Sequence, residues 1–568
     1  MENQSPKHLG QRQENHSTKH TASELFARKE KAKCFSTGVY ALLVLCVFPL
    51  VYHNFYFDMI QTKYITYCIC VGILAAGVLL IVPILWYMWY ASLSNEQRMK
   101  EKARFSPKEI WKSLSIPDKA VLTFWLIEVI STVSSQYPYE SFWGNEGRFS
   151  GLFLTTLYIF AYFSVSRLMK FQRWYLDAFL GSAMLVCLFG ITDYFQMDIL
   201  HFKEMMKEEQ LAMFVSSIGN INTYTALVGM VSAVASVLFA KSEKWSFTVW
   251  YYFCMTISFF AIIMGLSDNA YLALAGLFGF LPFYLFKKKS GIKRYLVIVA
   301  TFFTVIQCVG WINDVFQDKV LGIDGAFNLI VEFRGLLPFI LLLWAVAGVW
   351  QYMDSRKEKA SISDDAGRFP RCIWFGVVVL VVLAVIFMLY DCNIAGNVER
   401  YGSLSNYLLF NDDWGTHRGY IWRIGMENYK KFSPWQKLVG FGPDTFGIVT
   451  FFNNFQDMMI RYGERFDNAH NEFLNYLITV GIAGLVAYVT FILSLLVRGF
   501  KKGGENPAVA AMLFAVICYN MQAFVNLNLP IVTPIMWMFL MMSMAAVNEK
   551  EKHNTEKYEA EKGKSYAV

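Results

Sequence analysis

Long apolar runs, repeated along most of the chain, constrain this sequence more than any other feature. A helix needs about 20 consecutive apolar residues to cross the hydrocarbon core of a bilayer. This sequence offers run after run of roughly 18 to 25 such residues. They are too long and too uniformly apolar for barrel strands, which alternate. The expected fold is therefore all-α, a polytopic integral membrane protein. Composition agrees. Of 568 residues, 55% are hydrophobic and only 17% charged, and the mean hydropathy is +0.36. A soluble chain of this length carries more charge.

Fourteen spans are expected, near 35–52, 65–90, 117–135, 150–167, 174–195, 222–240, 247–266, 269–286, 295–312, 328–352, 372–391, 471–497, 508–527 and 530–547. A polar N-terminal tail, 1–34, is expected to be flexible and cytoplasmic. Membrane helices one to eleven then fill 35–391. A large extracytoplasmic loop covers 392–470, helices twelve to fourteen cover 471–547, and a Lys/Glu-rich tail over 548–568 returns to the cytoplasm. With the N-terminus inside, the short loops 91–116, 167–173, 241–246, 287–294, 353–371 and 498–507 are cytoplasmic. Each is basic, as the positive-inside rule requires. Because the net charge of +7 gathers in these loops, it speaks for topology and against nucleic-acid binding.

The outer segments differ in character. Residues 196–221 are expected to form an amphipathic helix on the outer surface. A loop as long as 392–470 is usually functional, and a helix is expected in it around 418–431. The 10 cysteines lie mostly within apolar runs and lack the paired spacing of a disulfide framework or a zinc site. There is no Asp-x-Asp and no HExxH, so no metal and no cofactor are expected. No cleavable signal peptide is read at the N-terminus.

The most informative stretch is Asp467-Asn468-Ala469-His470-Asn471-Glu472, continuing through Gly481 and Gly484 to Tyr488. Asp467 or Asn468 is a candidate helix cap. On one continuous helix His470 would share a face with Leu477, Gly481, Gly484 and Tyr488. In a first turn, the helix dipole keeps an imidazole neutral and favours an anion beside it. A neutral imidazole next to a bound anion suits a general base. A lone histidine at a helix start is also a common capping or interfacial residue, so the pattern around it matters.

That pattern is His470-Asn471, nine residues, then Gly481-Ile482-Ala483-Gly484. It resembles the signature of the O-antigen ligase family, which includes O-antigen polymerases and protein O-oligosaccharyltransferases. Thr416-His417-Arg418-Gly419-Tyr420-Ile421-Trp422, followed by the turn Gly440-Phe441-Gly442-Pro443, resembles the family's large-loop pattern. The resemblance implies that Arg418 binds the diphosphate of a lipid-linked sugar donor, for which a guanidinium fork is suited. Arg418 as an ordinary loop arginine paired with an acidic neighbour is the plainer alternative. Gly147-Arg148-Phe149 and Gly219-Asn220-Ile221-Asn222 also resemble family segments. Asn220 and Asn222 either bind sugar hydroxyls or cap a helix. Many members carry Ser-Arg where this chain has Ser267-Asp268-Asn269. Either Arg148 or Arg334 then supplies the second diphosphate-binding charge, or the donor is held differently. Asn471, Trp422 and Tyr488 complete the candidate substrate groove. Glu128, costly in lipid, is expected to face the bundle interior, as a structural residue or a groove-lining one.

The resemblance implies a membrane glycosyltransferase that moves or polymerises a glycan from an undecaprenyl-diphosphate-linked donor. The acceptor is a hydroxyl of a glycan, a lipid or a protein, met outside the plasma membrane of a bacterium. The implied transfer is inverting and metal-independent, with His470 as catalytic base. Two other classes fit the span count: a lipid-linked oligosaccharide flippase and a non-catalytic scaffold of a polysaccharide assembly complex. A transporter would place its key polar groups near the midplane and show internal repeats; here they gather in an outer loop.

Overall fold

The computed structural model describes residues 6–104, 106–145, 147–323, 325–356 and 363–565. The chain is an all-α, polytopic membrane protein. Among the described residues, 24 α-helices are joined by short connections, and the only ladder is a two-residue hairpin pairing Phe214 with Asn220 and Val215 with Gly219. Among the described residues, nine helices are long and apolar enough to cross a membrane. Three shorter apolar helices, Leu152–Leu168, Asn269–Leu285 and Pro507–Gln522, stand beside them. Helices Ile116–Ser134 and Thr533–Ser565 occupy the remaining two expected positions.

The core is built around Ile221–Lys241, which is almost wholly buried. Trp245–Met264 and Pro507–Gln522 pack on it. Gly481–Gly503 packs on Ile116–Ser134, and Thr533–Ser565 on Leu152–Leu168. In contrast, Phe369–Asn393 leaves its apolar length exposed and buries only Asp391 and Cys392. That is the profile of a lipid-facing helix, whose apolar surface needs no protein cover.

Three expectations need correction. The first described helix runs Pro6–Leu42, so the polar N-terminal segment is helical well before its first apolar run. Residues 196–221 are not an amphipathic helix. They form turns, a 3-10 helix at Glu208–Met213 and the small hairpin. Asp198 ends any helix there by taking the backbone N–H groups of Phe202 and Lys203 on its carboxylate, the local competition typical of Asp. Phe202 then anchors the segment against Tyr52, Phe55 and Tyr56. Finally, the expected span 471–497 is broken. A short helix, Glu472–Thr479, ends at Val480, and a second begins at Gly481.

The 392–470 segment holds its own small core. It folds as Val398–Leu404, Ser405–Leu408, Trp414–Lys431, Pro434–Val439 and Phe446–Tyr462. Within Trp414–Lys431 the residues Gly415, Thr416 and His417 have left-handed backbone, so the regular helix starts at Arg418. This matches the expected 418–431. Tyr420, Ile421, Ile424, Phe446, Met458 and Phe466 close the core.

Candidate active site

The helix break positions everything near it. Gly481 sits at φ +72°, and a Cβ there would lie 2.3 Å from the Leu438 carbonyl oxygen and 2.6 Å from the Gly440 nitrogen. Only glycine permits both the conformation and that approach. The close approach serves hydrogen bonding. A helix end leaves carbonyls without partners, and here Phe441 N–H donates to Ile478 O at 3.1 Å and Gly442 N–H to Thr479 O at 2.9 Å. Ser131 Oγ adds a bond to Thr479 O. The Gly-Phe-Gly-Pro turn therefore caps the short helix from outside.

His470 lies at the other end of that helix, but not in its first turn. Asn471 is the N-cap, its side chain accepting from Leu474 N–H at 3.0 Å. His470 precedes it at φ +46°, a costly conformation for a non-glycine residue that surroundings must enforce. Asn468 Oδ1 accepts the His470 N–H at 3.1 Å, and Trp422 Nε1 donates to Ala469 O at 2.9 Å. Those two bonds fix the backbone, while the His470 ring makes no hydrogen bond or ion pair among the described residues. The ring lines a cavity of about 570 Å³. Burial, then the charges of Arg418 and Arg148, push its pKa down to about 3 against the opposing pull of Asp467. The imidazole is thus neutral, as expected, but because of burial and two guanidiniums.

Arg148 is on the same cavity wall. It donates from Nε and Nη2 to the two Asp467 oxygens at 3.1 and 2.8 Å. Its loop is clamped by Asp444, whose Oδ2 accepts the Asn145 and Ser150 N–H groups at 2.7 and 3.1 Å. Burial raises the Asp444 carboxyl to about 6 despite those bonds. Arg418 curls back to donate from Nη1 to Gly415 O at 2.5 Å, and its buried Nε has no acceptor. No carboxylate lies within ion-pair distance of it among the described residues, although the field of Asp268 reaches it. The plain alternative, a loop arginine tied up by an acidic neighbour, therefore describes Arg148 better than Arg418. Burial lowers the Arg418 pKa.

The other candidates divide. Asn220 and Asn222 line the cavity with His470 and Arg148. Asn220 also caps its helix, accepting from Asn222 N–H, and Asn222 Oδ1 accepts from Ser267 Oγ at 2.7 Å. The segment with Asp268 in place of arginine is thus packed against a cavity residue. Arg334 is exposed and does not line the cavity. Trp422, Asn471 and Tyr488 hold the frame and are not on its wall. Tyr488 is fully buried and donates to Glu472 Oε1 at 2.6 Å. The shared face of His470, Gly481, Gly484 and Tyr488 does not exist, because the helix breaks between them.

Asp467, Asp444, Gln61 and Asn526 were not among the expected site residues. Asp444 stands in the Gly-Phe-Gly-Pro-Asp turn, and Asp467 opens the histidine motif, so both had a signal in the sequence. Gln61 and Asn526 had none. Together the cavity offers a free neutral imidazole, a guanidinium on its wall, a second guanidinium close enough to act on that imidazole, and amide groups from Gln61, Asn220, Asn222 and Asn526. This arrangement can bind an anion and accept a proton beside it. Among the described residues no three His, Cys, Asp or Glu side chains are grouped to share a metal ion.

Residues 333–489 match the family model for O-antigen ligase. The matched stretch contains Arg418, Trp422, His470, Asn471 and Tyr488, whereas Arg148, Asn220 and Asn222 lie before it. No match is found among curated proteins.

Proposed function

We propose that this chain, whose residues 333–489 match the O-antigen ligase family model, is a membrane glycosyltransferase of ligase or polymerase type that uses a glycan linked to undecaprenyl diphosphate. The acceptor hydroxyl belongs to a glycan, a lipid or a protein. The reaction takes place at the outer face of a bacterial plasma membrane. One observation carries this reading: the unpartnered ring of His470 shares a cavity wall with Arg148 and feels Arg418.

The electrostatics suggest an order of events. Without an anion, burial and then the two guanidiniums make His470 a weak base. A donor diphosphate would neutralise them, since charge-assisted bonds to phosphate oxygens satisfy the spare Arg418 N–H groups. The imidazole then regains the part of its basicity that the guanidiniums had suppressed, while the part lost to burial remains. His470 takes the proton of the acceptor hydroxyl, and the hydroxyl oxygen bonds to the anomeric carbon. The bond from that carbon to the phosphate oxygen breaks, and the lipid diphosphate leaves with the electron pair, held by Arg418 and Arg148. Direct displacement inverts the anomeric configuration and needs no metal. Asn220 and Asn222, whose oxygens accept from Asn222 N–H and Ser267 Oγ, would hold sugar hydroxyls through their Nδ2 groups.

The test is transfer by purified protein with an undecaprenyl-diphosphate-linked glycan and chelator present. Product with inverted anomeric configuration supports the reading. Retention of configuration would replace direct attack with a covalent intermediate, and loss of all activity in chelator would remove metal independence.

A further inference from the structure

Three carboxyl groups are buried around the helix break. Glu128 is 1% exposed, Glu472 2% and Asp444 4%. Among the described residues none of them pairs with a Lys, Arg or His: Glu472 accepts from Tyr488 and Asn528, and Asp444 from the Asn145 and Ser150 N–H groups. A buried charge without compensation costs several kcal/mol, so the absence of any basic side chain needs an explanation.

A small cavity lies among them. Its volume is about 20 Å³, and its lining includes Glu128, Tyr158, Asp444, Asn475, Thr479 and Asn528. That is room for one water-sized species. Four lining residues each contribute a buried oxygen with no hydrogen-bond partner: Glu128 Oε2, Tyr158 Oη, Asn475 Oδ1 and Asn528 Oδ1. The orientation of Asn528 is fixed, because its Nδ2 donates to Tyr476 Oη at 2.7 Å and to Glu472 Oε1 at 3.3 Å. Tyr158 is held by stacking on Trp537 at 5.1 Å.

The oxygens discriminate between occupants. Three of the four are acceptors when Glu128 is ionised, and a water molecule has only two hydrogens to give. A cation satisfies all four and neutralises the carboxylate. Carboxylate, amide and hydroxyl oxygens suit a hard ion. The cavity is also reached by Thr479 and Val480, at the C-terminal end of the short interrupted helix. Glu128 is the one carboxylate among the four orphaned oxygens, the Asp444 carboxylate on the lining being held by the Asn145 and Ser150 N–H groups, and a single carboxylate ligand favours a monovalent ion over a divalent one.

We propose that this cavity binds one monovalent cation of sodium size, held by Glu128, Asn475, Asn528 and Tyr158. The ion ties helices Ile116–Ser134 and Leu152–Leu168 to the short helix that follows His470. It is independent of the glycosyl-transfer reading.

The experiment is thermal unfolding of the full-length protein in detergent, in sodium chloride or N-methyl-D-glucamine chloride at equal ionic strength, with direct binding of radioactive sodium alongside. Sodium should raise the melting temperature saturably. At ten times its Kd it should raise the folded-to-unfolded ratio about elevenfold. Glu128→Gln, which keeps volume and hydrogen bonding, should lose both the sodium response and radioactive sodium binding. Asn528→Ala should weaken both. Equal melting of the wild type in the two salts with no sodium bound would overturn the proposal, leaving a water and a protonated Glu128. A sodium response in Glu128→Gln equal to that of the wild type would overturn it too.

Discussion

Gly481→Ala tests the docking of the large loop on the broken helix. The new Cβ meets two costs. A left-handed residue with a Cβ loses about 1–2 kcal/mol. The Cβ also comes within 2.3 Å of Leu438 O and 2.5 Å of Leu438 C, both backbone atoms, so the 438–442 segment must move away. That movement breaks the bonds from Phe441 and Gly442 N–H to Ile478 and Thr479 O, each worth about 0.5–1.5 kcal/mol. The total is about 2–5 kcal/mol. Gly463→Ala is the matched control: its φ is +68° and nothing lies within 4 Å of its Cβ, so only the conformational cost of about 1–2 kcal/mol applies. The assay is melting of both purified variants together with glycan transfer at equal folded amounts. Gly481→Ala should melt lower than Gly463→Ala and lose transfer, because the short helix that follows His470 is released. Equal melting of the two variants would refute the docking argument.

Arg418→Lys should lose roughly a hundred- to thousandfold in kcat, because an ammonium cannot reproduce a bidentate fork on a diphosphate; steady-state transfer kinetics measure this. Asp467→Asn removes one charge-assisted partner of Arg148, worth about 1.5–3 kcal/mol, and should lower kcat/KM by roughly ten- to a hundredfold. For pH, the acid limb of kcat, which reports the donor complex, should lie above that of kcat/KM, which reports the free protein; coincident limbs would remove donor activation of His470. Because the folded His470 pKa of about 3 lies below its unfolded value of 6.5, the unfolded state binds more protons between those values. Its share of stability is therefore lost as pH falls from 6.5 toward 3. His470→Gln should flatten that part of the melting-temperature profile.

The sequence made the helices legible where apolar length decides. Phe369–Asn393 is expected at 372–391 and Ile221–Lys241 at 222–240, because a lipid-facing or core span needs little beyond its own hydrophobicity. Arg418 was also legible in its place at the start of the regular part of a helix. The break at Val480 was not. The run from Phe473 to Val497 is mostly apolar, and Gly481, where the second helix begins, reads in sequence as a packing glycine within one span. The interruption comes from a turn some 40 residues earlier, which supplies N–H donors to the last carbonyls. The pairing of Arg148 with Asp467 was hidden for the same reason: the two are 319 residues apart in the chain. The loop at 196–221 was misread because its charge pattern fits an amphipathic helix, while Asp198 binds the local backbone in a way the pattern does not show.

The proposed transfer depends most on His470. The direct measurement is single-turnover transfer by purified His470→Ala and His417→Ala with undecaprenyl-diphosphate-linked donor, at equal folded amounts. Among the described residues the His470 ring makes no hydrogen bond or ion pair, so its removal should leave the fold intact while lowering the rate about a hundred- to ten-thousandfold. His417, packed 4.3 Å from the Tyr462 ring and off the cavity wall, should cost far less. Wild-type transfer in His470→Ala, or an equal loss in His417→Ala, would contradict the assignment of the base.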